Sequence, residues 1–168
     1  MNKRQQDVLF SSAKMDWGTP VELFRCLHRM FRFTLDACAD KQNHKLDHYY
    51  DEQADGLRQC WAGERVFVNP PYGRQVVSWV DKALFEYRAN DVSSVMLLPS
   101  RTCTRWFHDL VLPNARVMYV KGRVRFEGAP APAPFPSLLA VFGFHAEFMV
   151  HHDYHVVKQG DAWEVKIV

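Results

Sequence analysis

The stretch VFVNPPYG, residues 66–73, constrains the fold of this chain more than any other feature. Its β-branched and aromatic residues favour a strand, and its two prolines remove the backbone donors that would continue a sheet. One proline is enough to end a strand, so the second one indicates a turn of fixed shape. We therefore expect a rigid turn that holds Asn69 and Tyr72 at the end of a buried strand.

Helices and strands alternate on both sides of this turn. Residues 20–31 and 75–88 repeat apolar side chains at helical spacing, and Thr19 precedes the first of these helices as a capping residue. The other predicted elements are a helix at about 103–111, strands at 33–39, 66–68, 93–99, 116–121 and 137–143, and a final hairpin with its turn at 159–161. This alternation predicts an α/β fold, in which ligands bind at the carboxyl ends of the strands.

The chain length of 168 residues suits one domain, which we divide into an amino-terminal arm (1–16), a main domain (17–143) and a carboxyl-terminal hairpin packed on it (144–168). The net charge of +2 singles out no polyanionic partner. Four widely spaced cysteines, with no C-x-x-C pair and no secretory leader, are typical of a cytoplasmic protein with reduced thiols. No apolar run reaches the roughly 18 residues that cross a bilayer, so we expect no membrane segment.

The residues of the turn suit one kind of chemistry. An exocyclic amine conjugated to a ring or a carbonyl is a weak nucleophile, because its lone pair is delocalised. The side-chain oxygen of Asn69 and the carbonyl of Pro70 would accept both amine hydrogens, and Pro71 would fix the spacing of these acceptors. The ring of Tyr72 would stack on a planar substrate. The alternative is an ordinary strand-ending turn, since Asn-Pro and Pro-Pro pairs are common in turns.

The chain resembles the phage and prophage DNA N-6-adenine methyltransferases, which use S-adenosylmethionine. The resemblance covers roughly residues 16–143. It is carried by DWGTPVELF, FTLDACAD, Asn43, Tyr50, ADGLRQCW, VFVNPPYG, LLPSRTCTRWFH, KGRVRF and APFPSLLAVF. It implies a Rossmann-like, S-adenosylmethionine-dependent methyltransferase fold with a mostly parallel central sheet and helices on both faces. Residues 17–143 would then be the catalytic domain.

The resemblance also implies roles for particular residues. The catalytic tetrapeptide would consist of Asn69, Pro70, Pro71 and Tyr72. Cofactor-binding residues would be Trp17, Thr19, Pro20, Asp36, Cys38, Asp55 and Asn69, with Asp36 near the methionine amino group and Asp55 facing the adenine of the cofactor.

The cofactor loop departs from the family pattern, because Ala39 and Asp40 stand where glycine is usual. The acidic residue that would bind the cofactor ribose is left open between Asp40, Asp47, Asp51 and Glu52. No metal site is expected. Alternation along a strand places His151, Asp153 and His155 on one face, with His152 on the other, and we interpret this cluster as a solvated or interface surface.

The expected partner is duplex DNA with the target adenine flipped out of the stack. Its phosphates would be bound by Arg101, Arg105, Lys121, Arg123 and Arg125, for which the alternative is a solvated basic surface. The function implied is adenine-specific methylation of DNA, with a role in phage DNA modification or restriction-modification. Two alternatives remain: the same chemistry on RNA or on a protein glutamine amide, and a catalytically silent nucleic-acid-binding module. Few elements are available to recognise bases, so a homodimer would supply more surface.

Overall fold

The computed structural model describes residues 17–144 and 154–167. These residues form one seven-stranded sheet, two α-helices and a short π-helical segment. The helices are α1 (Val21–Phe31) and α2 (Val76–Asn90), and the π-helical segment is Phe107–Val111. The strands are β1 (Leu35–Asp36), β2 (Arg65–Val68), β3 (Ser93–Pro99), β4 (Arg116–Lys121), β5 (Ser137–Phe142), β6 (Tyr154–Gln159) and β7 (Ala162–Ile167).

The sheet is mixed, and the expectation of a mostly parallel Rossmann-like sheet with helices on both faces is wrong. The strand order is β1-β2-β3-β5-β4-β6-β7. Within the described residues, three strand pairs are parallel (β1 with β2, β2 with β3, β4 with β6) and three are antiparallel (β3 with β5, β4 with β5, β6 with β7). Two α-helices are too few for the alternating cover of a doubly wound fold.

Two apolar clusters hold this sheet together. One contains Leu23, Leu27 and Phe31 of α1 together with Phe67 and Met118 of the strands. The other contains buried residues of α2 and of the π-helical segment, packed on the alternate residues of the same strands, which point the opposite way. Every residue of β5 is therefore buried, as expected of a strand with side chains in both clusters.

Local features differ from three expectations. The strand expected at 33–39 is reduced to Leu35–Asp36, because the chain turns into a loop immediately afterwards. The residue at the N-cap of α1 is Pro20, with no side-chain capping hydrogen bond, so the assignment of Thr19 as a cap is wrong. The helix expected at about 103–111 contains the five-residue π-helical segment.

The strand directions place five carboxyl ends at one edge of the sheet. Strand β5 is antiparallel to both β3 and β4, so β4 runs in the same direction as β3. Strand β6 is parallel to β4 and therefore also ends at this edge. We call it the carboxyl edge, defined by the ends of β1, β2, β3, β4 and β6. It is where the residues after Asp36, Val68 and Pro99 meet.

Some expected features lie outside the described residues, namely the arm at 1–16 and His151, His152 and Asp153. His155 lies in β6, where its ring meets the ring of Tyr119 edge to face at a centroid distance of 5.9 Å. In the part of the chain that the structure describes, no three His, Cys, Asp or Glu side chains are grouped as a metal ion would require. None of the helices described is both long and apolar enough to cross a bilayer.

Candidate active site

A cavity of about 470 Å³ opens at the carboxyl ends of β1 and β2. Its walls come from residues 17–19 before α1, from the loop that follows β1, and from the turn that follows β2. Parallel pairing brings these segments together, because Leu35 lies opposite Val66 and Asp36 opposite Phe67. The size is within the range of pockets that enclose a small-molecule cofactor.

Asp36 is the most buried ionisable group in this cavity, with 2% of its surface exposed. Its Oδ2 accepts a hydrogen bond from the backbone N–H of Lys45 at 3.0 Å. Its Oδ1 is buried and makes no hydrogen bond of regular geometry among the described residues, although the Cys38 backbone N–H acts on the same carboxyl. Burial raises the pKa of this carboxyl from 3.8 to about 6, although the backbone N–H groups of Lys45 and Cys38 both favour the charged form. Asp36 therefore has one oxygen ready for a donor that enters the cavity.

Asn69 lies on the same cavity, directly after β2. Its Nδ2 donates a hydrogen bond to the backbone carbonyl of Trp17 at 2.8 Å. This bond connects the end of β2 to the segment before α1 and fixes the plane of the side-chain amide. The amide oxygen, which makes no hydrogen bond within residues 17–144 and 154–167, is left as an acceptor.

The other expected cofactor and catalytic residues divide into two groups. The cavity is lined by Trp17, Thr19, Asp36, Cys38, Asp55, Asn69 and Pro71. Pro20, Pro70 and Tyr72 are not among its lining residues. Tyr72 donates a hydrogen bond from its hydroxyl to the Leu97 carbonyl at 3.3 Å, and burial raises its pKa. Its ring meets Phe126 and Phe135 edge to face, at centroid distances of 5.8 Å and 5.5 Å. The stacking role of Tyr72 stays a prediction.

The four acidic residues considered for the cofactor ribose differ in their free acceptor oxygens and in whether they line the cavity. Asp40 accepts hydrogen bonds from the backbone of Asn43 and from its side chain, so both carboxylate oxygens are used within a local turn. Asp51 accepts one from the Ala54 N–H at 2.9 Å through a single oxygen. Glu52 lines the cavity and is exposed, whereas Asp47 does not line it. Asp51 and Glu52 retain the most acceptor capacity.

Lys45 lines the cavity, although the sequence did not identify it as a site residue. Among the described residues that line the cavity it is the only Lys or Arg. Its side chain is 8% exposed, and its Nζ lies 2.6 Å from Oε2 of Glu127. Glu127 also donates its backbone N–H to the Gly18 carbonyl at 2.8 Å. These partners are far apart in sequence and follow no local pattern, so nothing in the sequence indicates the pair.

The segment ADGL reaches the cavity because Gly56 has no side chain. A Cβ built on Gly56 would lie 2.1 Å from the carbonyl oxygen of Ala37 and 3.0 Å from the ring of Trp79. The carbonyl of Gly56 accepts a hydrogen bond from the buried indole of Trp61 at 3.0 Å. Only glycine lets these two backbones approach, which places the adjacent Asp55 on the cavity.

We predict that Gly56→Ala lowers the free energy of unfolding by roughly 2–3 kcal/mol, because backbone atoms cannot move aside cheaply. Gly63→Ala is the control, since a Cβ there meets nothing within 4 Å and only its φ of 83° is unfavourable. Its expected cost is about 1 kcal/mol. Urea denaturation of both variants measures the difference, and equal losses would show that the contact with Ala37 is not tight.

The raised pKa of Asp36 predicts a pH-dependent stability. Between about pH 4 and pH 6 the folded protein keeps a proton that the unfolded chain has released, so the free energy of unfolding falls as the pH rises through this window. Asp36→Asn removes this pH-dependent loss in the free energy of unfolding. Relative to the parent, the variant should gain about 2–3 kcal/mol between pH 4 and pH 7. Denaturation at several pH values measures this gain in the free energy of unfolding. Asp91→Asn, at an exposed position, is the charge control. Parallel pH profiles of parent and variant would refute the prediction.

The five expected DNA-contacting residues, Arg101, Arg105, Lys121, Arg123 and Arg125, are all exposed, and none lines the cavity. Arg101 follows β3 by two residues, and Lys121 is the last residue of β4. Both therefore lie at the carboxyl edge, as Asn69 does. The structure thus brings cations to the same edge of the sheet as the cavity, separated from it along that edge.

Comparison with known proteins identifies a family for this chain. Residues 7–135 match the family model described as DNA N-6-adenine-methyltransferase (Dam). The chain is also 30% identical over 107 residues to a protein of Escherichia phage T1 named DNA N-6-adenine-methyltransferase. That match covers 62% of this chain and 44% of the phage T1 protein, so the chain spans less than half of that relative. The family match covers most of the chain, and the protein belongs to the DNA N-6-adenine-methyltransferase family.

Proposed function

We propose that this protein transfers a methyl group from S-adenosylmethionine to the exocyclic amine of adenine in DNA. The observation that carries the proposal is the position of Asn69: its amide is fixed by Trp17 at the rim of a cavity that also contains the unpartnered oxygen of Asp36. Membership of the DNA N-6-adenine-methyltransferase family supports the same reaction.

The residues of the cavity fit the proposed cofactor. The buried Oδ1 of Asp36 needs a donor, and the ammonium group of the methionine part would supply one. Asp51 and Glu52 would accept hydrogen bonds from the ribose hydroxyls, and Asp55, which also lines the cavity, would face the adenine of the cofactor. The cofactor supplies an electrophilic methyl group on a positively charged sulfur. A cavity rich in carboxylates is compatible with that charge.

The part of Asn69 in the reaction follows from its fixed amide. Its Oδ1, together with the carbonyl of Pro70, would accept the two hydrogens of the target amine and favour the form in which the nitrogen lone pair is localised. Because the bond to Trp17 already orients the amide, little reorganisation is needed as the amine becomes tetrahedral. The neutral amine loses its proton after attack, so no strong general base is required.

DNA as the substrate is supported by the exposed cations of the carboxyl edge. Arg101 and Lys121 lie at the same edge as Asn69 and would bind phosphates there. An adenine inside a duplex cannot reach a cavity of this kind, so the target base would be flipped out of the stack. Phosphate contacts would supply much of the affinity and make it depend on salt.

Asn69→Ala tests the reaction directly. We expect methyl transfer to plasmid DNA to fall at least about 100-fold, because an acceptor aimed at the transition state is lost. The dissociation constant for S-adenosylmethionine should change by no more than about threefold, since the amide oxygen is reserved for the target. Transfer of labelled methyl and calorimetry measure the two quantities. Asn114→Ala is the matched control and should keep its activity, because within the described part of the chain the Asn114 side chain bonds only Leu110 and Arg88.

The acceptor is tested with plasmid DNA, RNA and protein offered in parallel. Labelled N6-methyladenine recovered from DNA supports the proposal. Label recovered only from RNA or from glutamine side chains would contradict the DNA substrate. A protein that fails to bind S-adenosylmethionine at millimolar concentration would contradict methyl transfer altogether and would favour a silent nucleic-acid-binding module. Asn69→Ala with most of its activity retained would contradict the role of the amide.

A further inference from the structure

The hairpin of β6 and β7 turns at the same edge of the sheet as the candidate active site. Strands β3, β4 and β6 all run in one direction, as the pairings of β5 with β3 and β4, and of β6 with β4, require. The carboxyl end of β6 is Gln159, and β7 starts at Ala162. The two-residue turn between them, Gly160 and Asp161, therefore lies at the carboxyl edge, which also contains Asn69.

The distance along this edge is set by the strand order. Four strand steps separate β2 from β6, through β3, β5 and β4. Neighbouring strands lie about 4.8 Å apart, so the hairpin turn is about 19 Å from the end of β2 along the edge. Base pairs of B-DNA rise about 3.4 Å each, so this distance corresponds to roughly five or six base pairs.

The hairpin turn is exposed and polar. Lys158, Gln159, Gly160 and Asp161 are all exposed, and a Cβ on Gly160 would meet no atom within 4 Å. Gly160 has a φ of 59°, which suits the first position of a tight type II′ turn. The residue types at this turn can contact nucleic acid: lysine pairs with phosphate or guanine, glutamine with adenine, and aspartate with cytosine.

The hairpin packs on the core along its length and close to its turn, because Trp163 is the partner of Lys158 in the strand pairing. Val156 of β6 and Trp163 of β7 are buried in the cluster that contains α1. Lys121 and Arg123, both exposed, lie at the end of the neighbouring strand β4, between the hairpin and the middle of the edge. Exposed cations therefore lie beside the two-stranded ribbon, and the major groove admits a ribbon of this width.

We propose that the turn of this hairpin, residues 158–161, binds the major groove on one side of the target adenine, with Lys158 on a phosphate and Gln159 on a base edge five or six base pairs away. The inference rests on the proposed function, because it takes the DNA to lie along the carboxyl edge with its flipped adenine at Asn69.

Lys158→Gln tests the phosphate contact. The probe is a 30-base-pair duplex of mixed sequence containing several adenines, and its affinity is measured by fluorescence anisotropy at several salt concentrations. Loss of one phosphate contact should reduce the slope of log K against log salt by about 0.9 and weaken binding roughly fivefold to tenfold at low salt. The matched control is Lys166→Gln in the same hairpin, because Lys166 lies near the opposite edge, where its Nζ is 3.4 Å from Glu164. The control should leave the slope unchanged.

The outcomes separate this inference from the proposed function. If the parent methylates DNA but Lys158→Gln binds the duplex as tightly and with the same salt dependence as the parent, the hairpin contact alone is overturned. Equal losses in Lys158→Gln and Lys166→Gln would also overturn it, since they would reflect net charge and not position. A parent that binds no duplex would overturn the hairpin contact, whereas a parent that methylates no DNA would overturn the proposed function.

Gln159→Ala tests the base contact by a different measurement. Methylated adenines are mapped on a plasmid treated with parent, with Gln159→Ala and with Lys166→Gln. The sequence preference at five or six base pairs to one side of the methylated adenine should weaken in Gln159→Ala, with the preference next to the adenine retained. Identical maps from all three proteins would overturn the assignment of Gln159 to a base.

Discussion

The parallel pairing of β1 with β2 is the constraint on which the site depends. It puts Asp36 opposite Phe67, so the chain leaves both strands at the same edge and within reach of one ligand. The Ala37 N–H donates to the Phe67 carbonyl at 3.0 Å and extends the pairing one residue beyond the strand. Asp36 is the last residue of β1 and provides a buried carboxylate. Asn69 is the first residue after β2 and provides an amide fixed by Trp17. Without this register the two side chains would not share a cavity.

Two contacts between residues far apart in sequence complete the cavity that this strand pairing creates. The Asn69 amide bonds the Trp17 carbonyl, and the ion pair of Lys45 with Glu127 joins the loop after β1 to the loop before β5. The Lys45 side chain is nearly buried, so the pair is less screened than a surface ion pair. The backbone N–H of Lys45 also holds Asp36 through its Oδ2. One residue thus connects the buried carboxylate, the cavity wall and the loop that packs near Tyr72.

The sequence predicted the local elements well, because helical spacing and strand-ending prolines are local signals. Both helices and the strand before Asn69 lie where the pattern indicates. The sheet direction was predicted wrongly, since an apolar run such as Ser137–Phe142 has the same pattern whether it pairs parallel or antiparallel. The Lys45–Glu127 pair could not be predicted, because it joins residues 82 positions apart. The role expected for Asp36 came from the resemblance, whereas its unpartnered oxygen is visible only in the structure.

The most direct test of this account is a carbon-13 NMR titration of the Asp36 carboxyl with and without S-adenosylmethionine, with Asp36→Asn used to assign the resonance. Without the cofactor we expect a pKa of about 6, as burial requires. At saturating cofactor the pKa should fall by at least about one unit, because an ammonium group at Oδ1 stabilises the charged form. A pKa that stays the same when the cofactor is bound would contradict the assignment of this cavity as the methyl-donor site.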